Sequence, residues 1–227
     1  MGNKNEKHNY FTDNEMKTKL KETHFEKDVG VMFSKDLKFN KHIDNVVSKA
    51  NQITGIVRRS FEYLDNEMFL KLYKSIIRPH LEYANVIWHP MFKHQKQRLE
   101  SVQRRATKIL PHLKNKSYSE RLSELKLPSI KYRQLRGDLI QTYKIINSID
   151  NVDYSEFFTL SNSSTRNSHT KLFKEFAKTL PRANFLPNRI NTMWNKLSPV
   201  TKSADNTNVF KNLLDIELSH LHFIYYD

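Results

Sequence analysis

No cysteine occurs among the 227 residues, which excludes disulfides and thiolate metal sites and fits a reducing compartment. Glycine is scarce, with 4 in all, too few for the phosphate-cradling loops of a typical α/β enzyme. No run approaches 18 apolar residues, so no membrane-spanning helix is expected. The opening stretch, Met1 to Lys21, is polar and charged without an apolar core, unlike a secretory signal. The expectation is an intracellular protein, nuclear or cytoplasmic, and not a secreted one. Carboxylates are also too dispersed for two-metal chemistry, which needs them clustered. Asp28, Asp36 and Asp44 spread over a strand, a turn and a helix, while Glu62, Asp65 and Glu67 read as a helix start. His80, His89 and His94 have no regular ligand spacing, and no strained nucleophile turn is visible. No cofactor is expected in this chain.

Positive charge is plentiful. Lysine and arginine number 38 against 24 acidic residues, for a net charge of +14. The isoelectric point is about 9.7 and the mean hydropathy −0.70. Such an excess favours a polyanionic partner, nucleic acid ahead of an acidic membrane surface. With 14 Phe, 10 Tyr and 2 Trp the chain still has enough apolar material for a core.

The most periodic stretch runs from Asp65 to Leu113. Phe69, Leu72, Tyr73, Ile76, Ile77, His80, Leu81 and Ala84 recur at helical spacing, behind Asp65 as an N-cap. Pro79 falls inside the pattern, so a kink or a broken last turn is expected there. A second helix from Lys93 places Leu99, Val102, Ala106, Ile109, Leu110 and Leu113 on one side, and Arg98, Arg104, Arg105 and Lys108 on the other. One face must be buried and the opposite one is cationic.

The rest is read around this unit. Residues 1–26 are expected to be a poorly ordered lead-in. Val29, Val31 and Phe33 point to one short strand within 27–37, which must pair within the chain or belong to an absent sheet. A helix over Asn40–Ser60 carries Ile43, Val46, Val47, Ala50, Ile53 and Val57, and ends on Arg58 and Arg59. Ser117 and Glu120 form a capping box. A helix over Ser129–Ile149 turns Tyr132, Leu135, Leu139, Tyr143 and Ile146 inward and leaves Arg133, Arg136 and Lys144 outside. Gly137 would permit close approach of another backbone. Residues 151–184 form an irregular linker with a polar loop at 162–165 and a short extended piece over Thr165–Lys171. Residues 185–227 are a C-terminal helical segment holding Trp194 and Phe210. The fold class is mainly α: a basic helical bundle over 38–150 with one short N-terminal strand or hairpin remnant.

The basic faces are the strongest functional signal. Arg58, Arg59, Arg98, Arg104, Arg105, Lys108, Arg133 and Arg136 are the candidate phosphate contacts, giving affinity and register with little base selectivity. Pairing with Glu100, Glu120, Glu124 and Asp138 is the alternative. Trp88 and Trp194 fit core or interface better than base stacking. Glu82, just after the proline, is expected to tie down Arg104 or Arg105.

Several runs in order resemble a known family. They are Asp28-Val-Gly-Val31 with Leu37-Lys-Phe39; Leu72-Tyr-Lys-Ser75; Arg78-Pro79-His-Leu-Glu82-Tyr83-Ala84 with Trp88 and Pro90; Leu99 to Lys108; Tyr132 to Ile140; and Trp194-Asn195. Over roughly residues 27 to 215 the chain is similar to the segment that follows the polymerase domain in reverse transcriptases of non-LTR retrotransposons, of the jockey or endonuclease–reverse transcriptase type. Departures are Gln134 in place of an arginine, Arg166-Asn-Ser-His169 in place of arginine-glycine-histidine, and Ser198 between Leu197 and Pro199. The resemblance implies a polymerase thumb-like fold that grips RNA template and RNA–DNA or DNA duplex. Arg78, Pro79, Glu82, Tyr83, Trp88 and Trp194 are its structural motif. The family's catalytic carboxylates would lie upstream of Asp28, where too few residues precede it, so a fragment without catalysis is expected. Mg²⁺ is then expected only for the complete polymerase, whose palm would meet the surface near Val29, Val31 and Phe33. The alternatives are an active reverse transcriptase, a protein-interaction module acting through Trp88 or Trp194, and a non-functional relic.

Overall fold

In the computed structural model, residues 8–12, 18–161 and 171–223 are described. The polar loop expected at 162–165 lies outside them, as do nearly all of the extended piece expected over Thr165–Lys171 and residues 1–7 and 13–17 of the lead-in. The described part of that lead-in holds an antiparallel bridge between Phe11 and Lys19.

The single strand expected near Val31 is one half of a hairpin. Strands β1 (Phe25–Asp28) and β2 (Val31–Ser34) pair antiparallel, Asp28 opposite Val31. The two-residue turn Val29-Gly30 has φ of 41° and 82°, the positive pair that a type I′ turn requires. All four β1 residues are exposed, so no alternation marked the strand. Val31 is buried and Phe33 packs on the core; of the three residues expected to face an absent palm, Val29 alone is exposed.

Helix α1 (Asn40–Ser60) follows from its apolar stripe, with Ile43, Val47, Ala50 and Val57 buried. The Asp65 carboxylate caps α2 (Asn66–Leu72) by accepting from the Met68 amide at 2.7 Å. The helix then widens into a π turn (Tyr73–Ile77) and resumes as α3 (Arg78–Glu82). Pro79 supplies the cause: its ring cannot accommodate a regular helical carbonyl four residues back. Ser75 Oγ instead donates to the Lys71 carbonyl at 2.7 Å. Phe69, Tyr73, Ile77 and Leu81 all stay fully buried across the bulge.

Helix α4 (Lys93–Ala106) is shorter than the apolar pattern implies. Thr107 Oγ1 donates to the Gln103 carbonyl at 3.0 Å, and Leu110 precedes Pro111 in extended backbone. A 3₁₀ turn (Pro111–Leu113) then buries Leu113. The Ser117–Glu120 capping box opens α5 (Tyr118–Leu125), and α6 (Ile130–Ile146) starts behind Ser129. Beside Gly137 lies the Asn85 side-chain amide, 3.6 Å from where a Cβ would stand, and not another backbone.

Helices α7 (Leu180–Asn184), α8 (Leu186–Lys196), α9 (Pro199–Lys202) and α10 (Thr207–Glu217) follow. Two apolar clusters result. One draws on Val31 through Ile130; the other gathers Tyr132, Tyr143, Phe158, Leu172, Trp194 and Phe210. They divide near the start of α6. The linker expected to be irregular thus supplies two core residues, Phe158 and Leu172. The fold is a multi-helix bundle with a short N-terminal antiparallel hairpin.

Candidate nucleic-acid interface

Helices α1 and α4 lie side by side and parallel. Near their N-termini the buried Gln95 side chain donates to Asn40 Oδ1 at 2.6 Å and to the Lys38 carbonyl at 2.9 Å. Further along, Arg98 pairs with Asp44. Their C-terminal ends therefore meet, and there a groove of about 610 Å³ opens. Asn51, Thr54 and Gly55 line it from α1; Arg58, Arg105, Lys108 and Lys114 supply its charge. Among the described residues no carboxylate lines it. Among the described residues none of the four cations has an acidic partner within 4 Å.

The local fold explains this convergence. Burial of Val57 and Ala106 turns Arg58 and Arg105 outward. The turn after α4 buries Leu110 and Leu113, so Lys108 and Lys114 face solvent. Arg59 lies alongside, its Nη1 3.5 Å from where a Cβ on Gly55 would sit. Both helix ends present carbonyls worth roughly half a negative charge each. Part of the positive charge answers those dipoles. Four cations against about one unit of dipole charge leave the groove strongly positive.

Other predicted contacts go elsewhere. Arg104 sits over the Tyr118 ring, 4.9 Å from its centre. Arg133 is gripped fork to fork by Glu82 at 2.7 and 2.6 Å, which holds its pKa above the usual arginine value. Arg136 is gripped in the same way by Asp215 at 2.6 and 2.8 Å. Lys144 pairs with Asp150 at 3.3 Å. Arg133, Arg136 and Lys144, expected to be available outside, are thus committed to carboxylates, the two arginines to acids from distant elements and Lys144 to one just past its own helix. Glu82 thus ties down Arg133, and Arg78 at 3.7 Å, in place of Arg104 or Arg105. A guanidinium already doubly bonded to a carboxylate has little left for phosphate.

The motif residues are structural. Trp88 and Trp194 are buried, which removes them as protein-docking residues. Trp88 Nε1 donates to the Tyr83 carbonyl at 2.6 Å, and the Tyr83 hydroxyl donates to the Val29 carbonyl at 3.0 Å, holding the hairpin. Trp194 packs 6.2 Å from Phe210.

Lys114 was missed by sequence reasoning, its only signal being a lysine just past the Pro111 turn. Arg189 was missed too. It grips buried Asp138 at 2.8 and 2.6 Å and donates to the carbonyls of Asn184 and Val86. His89 Nδ1 lies 3.7 Å from the same carboxylate, and burial pushes its pKa well below the usual histidine value. His94 stacks on Phe92. Among the described residues no group of three or more His, Cys, Asp or Glu could hold a metal ion. No described helix is long and apolar enough to cross a membrane.

Compared with protein-family models, curated proteins and solved structures, the chain matches none of them.

Proposed function

We propose that this chain grips the backbone of a nucleic-acid duplex in the groove between the C-terminal ends of α1 and α4, without catalysing a reaction itself. The observation that carries the reading is the convergence of Arg58, Arg105, Lys108 and Lys114 on one concave surface that no described carboxylate lines. Arginine forks and lysine ammonium groups at such spacing suit phosphate oxygens and carry no base code. The motif run from Asp28 to Asn195 supports the further proposal that the chain is the thumb and post-polymerase segment of a non-LTR retrotransposon reverse transcriptase. In that setting the groove holds RNA template or RNA–DNA duplex behind an active site borne elsewhere.

The test is titration of an RNA–DNA duplex at 50 and 200 mM salt. Four phosphate contacts give a logarithmic salt slope of about −3.6, so affinity falls by roughly a hundredfold over that interval. Absent or salt-independent binding refutes the reading. Primer extension with added Mg²⁺ distinguishes an active polymerase: no extension is expected, and templated product would replace this proposal with the catalytic one.

A further inference from the structure

A second surface, remote in sequence from the groove, combines exposed rings with cations. Residues 173–179 run without regular structure from Leu172 in the second apolar cluster to the start of α7 at Leu180. It is pinned at both ends. Leu172 is buried; its amide donates to Asn195 Oδ1 at 2.9 Å and its carbonyl accepts from Asn191 and Asn195. At the far end Arg182 pairs with Glu175 and sits 5.4 Å from the Phe185 ring centre. Between the anchors Phe173 is 60% exposed and Phe176 85% exposed. Phe176 also forms one wall of a 410 Å³ cavity, with Ala183 and Asn188 opposite. Lys174 and Glu175 line the same cavity; Lys174 and Lys178 flank Phe176 in sequence, and among the described residues neither has an acidic partner within 4 Å.

A single exposed phenylalanine is ordinary, but two rings on a strap held at both ends are pre-organised for contact. An amphipathic helix would present one apolar face to a membrane. This segment is not helical, and its rings are interleaved with Lys174, Glu175 and Lys178. A flat ring at a concavity, that of Phe176, with a second exposed ring three residues before it and ammonium groups one or two residues from each in sequence, matches alternating bases and phosphates. We propose that the strap at 173–179 binds unpaired nucleotides of a single-stranded polynucleotide, stacking bases on Phe176 and Phe173 and placing phosphates at Lys174 and Lys178. The site does not rest on the duplex reading of the groove.

The test uses the full chain and a single-stranded oligonucleotide carrying 2-aminopurine, whose fluorescence is quenched on stacking. RNA and DNA versions are run in parallel. Phe176→Ala is expected to abolish the binding-induced quench and weaken affinity at least about fivefold. Phe176→Tyr retains both, and the thermal melt is unchanged because the ring is exposed. Arg105→Glu with Lys108→Glu, which removes duplex binding in the groove, is expected to leave the quench intact. The proposal is overturned if Phe176→Ala and Phe173→Ala quench and bind like the parent. It is equally overturned if Phe176→Ala keeps the quench while losing partition onto anionic vesicles or losing self-association in sedimentation.

Discussion

Replacing Arg189 with Met tests how α6, α8 and the turn before Trp88 are held together. The guanidinium makes four hydrogen bonds, two to Asp138 and one each to the carbonyls of Val86 and Asn184. It thereby joins α6, α8, the end of α7 and the turn before Trp88. The pair is well inside, with side-chain exposures of 10% for Arg189 and 3% for Asp138. Methionine fills much of the volume but leaves a buried carboxylate without its counter-charge. Breaking a buried pair from one side costs about 3–5 kcal/mol. For a chain of this size that is a fall in Tm of roughly 6–20 °C. Urea unfolding followed by tryptophan fluorescence reads it directly, because Trp88 and Trp194 are buried in different clusters. The midpoint is expected to drop with the slope unchanged. Arg189→Lys is expected to fail as a rescue, since a point charge cannot make two parallel bonds to Asp138 and reach two carbonyls. A cost below about 1 kcal/mol for Arg189→Met, or full rescue by lysine, would refute the reasoning.

The hairpin turn offers a gain in stability: Val29 has positive φ, which a β-branched residue resists, so Val29→Asn is expected to raise stability by about 0.5–1 kcal/mol in urea. Gly30→Ala is expected to cost about 1–2 kcal/mol, because its φ is +82° and a Cβ would stand 3.1 Å from the Tyr83 ring. Buried His42 and His89 are both depressed below 6.5, His89 further. The unfolded chain therefore binds their protons first, and their stabilising contribution is lost as pH falls below about 6.5. His89→Gln is expected to flatten the urea midpoint between pH 7.5 and 5 relative to the parent. Glu82→Gln, which strands Arg133, is expected to cost about 1–3 kcal/mol, less than a fully buried pair because both side chains keep about a fifth of their exposure. Arg133→Ala and Arg136→Ala are expected to leave the salt slope of duplex binding unchanged; a loss of one unit each would return them to the interface.

What could be read along the chain was set by neighbours. The bounds of α1, the Asp65 cap and the Ser117–Glu120 box depend on residues three or four apart, and all three were legible. The hairpin was half legible, because β1 buries nothing and its turn lacks the usual asparagine. The π turn kept the apolar register, so a pattern of buried residues could not reveal it. The arginine assignments failed at long range. Glu82 lies 51 residues from Arg133 and Asp215 lies 79 from Arg136, and each looked like a free cation on an amphipathic helix. Arg189 sits beside the apolar face of α8, where an unpaired charge would be costly, yet its partner became visible only with the fold. The groove was legible in part: Arg58, Arg105 and Lys108 were candidates. That they share one surface follows from the parallel packing of α1 on α4, and Lys114 joins them through the turn at Pro111.

The most direct measurement is the salt dependence of RNA–DNA duplex affinity for the parent and for a variant with Arg58, Arg105, Lys108 and Lys114 all changed to alanine. These side chains project from the core, so the variant is expected to melt like the parent. Its logarithmic salt slope should be shallower by roughly three to four, with weakened binding at every duplex sequence alike. A folded variant that keeps the parent's slope and affinity would contradict the assignment of the groove.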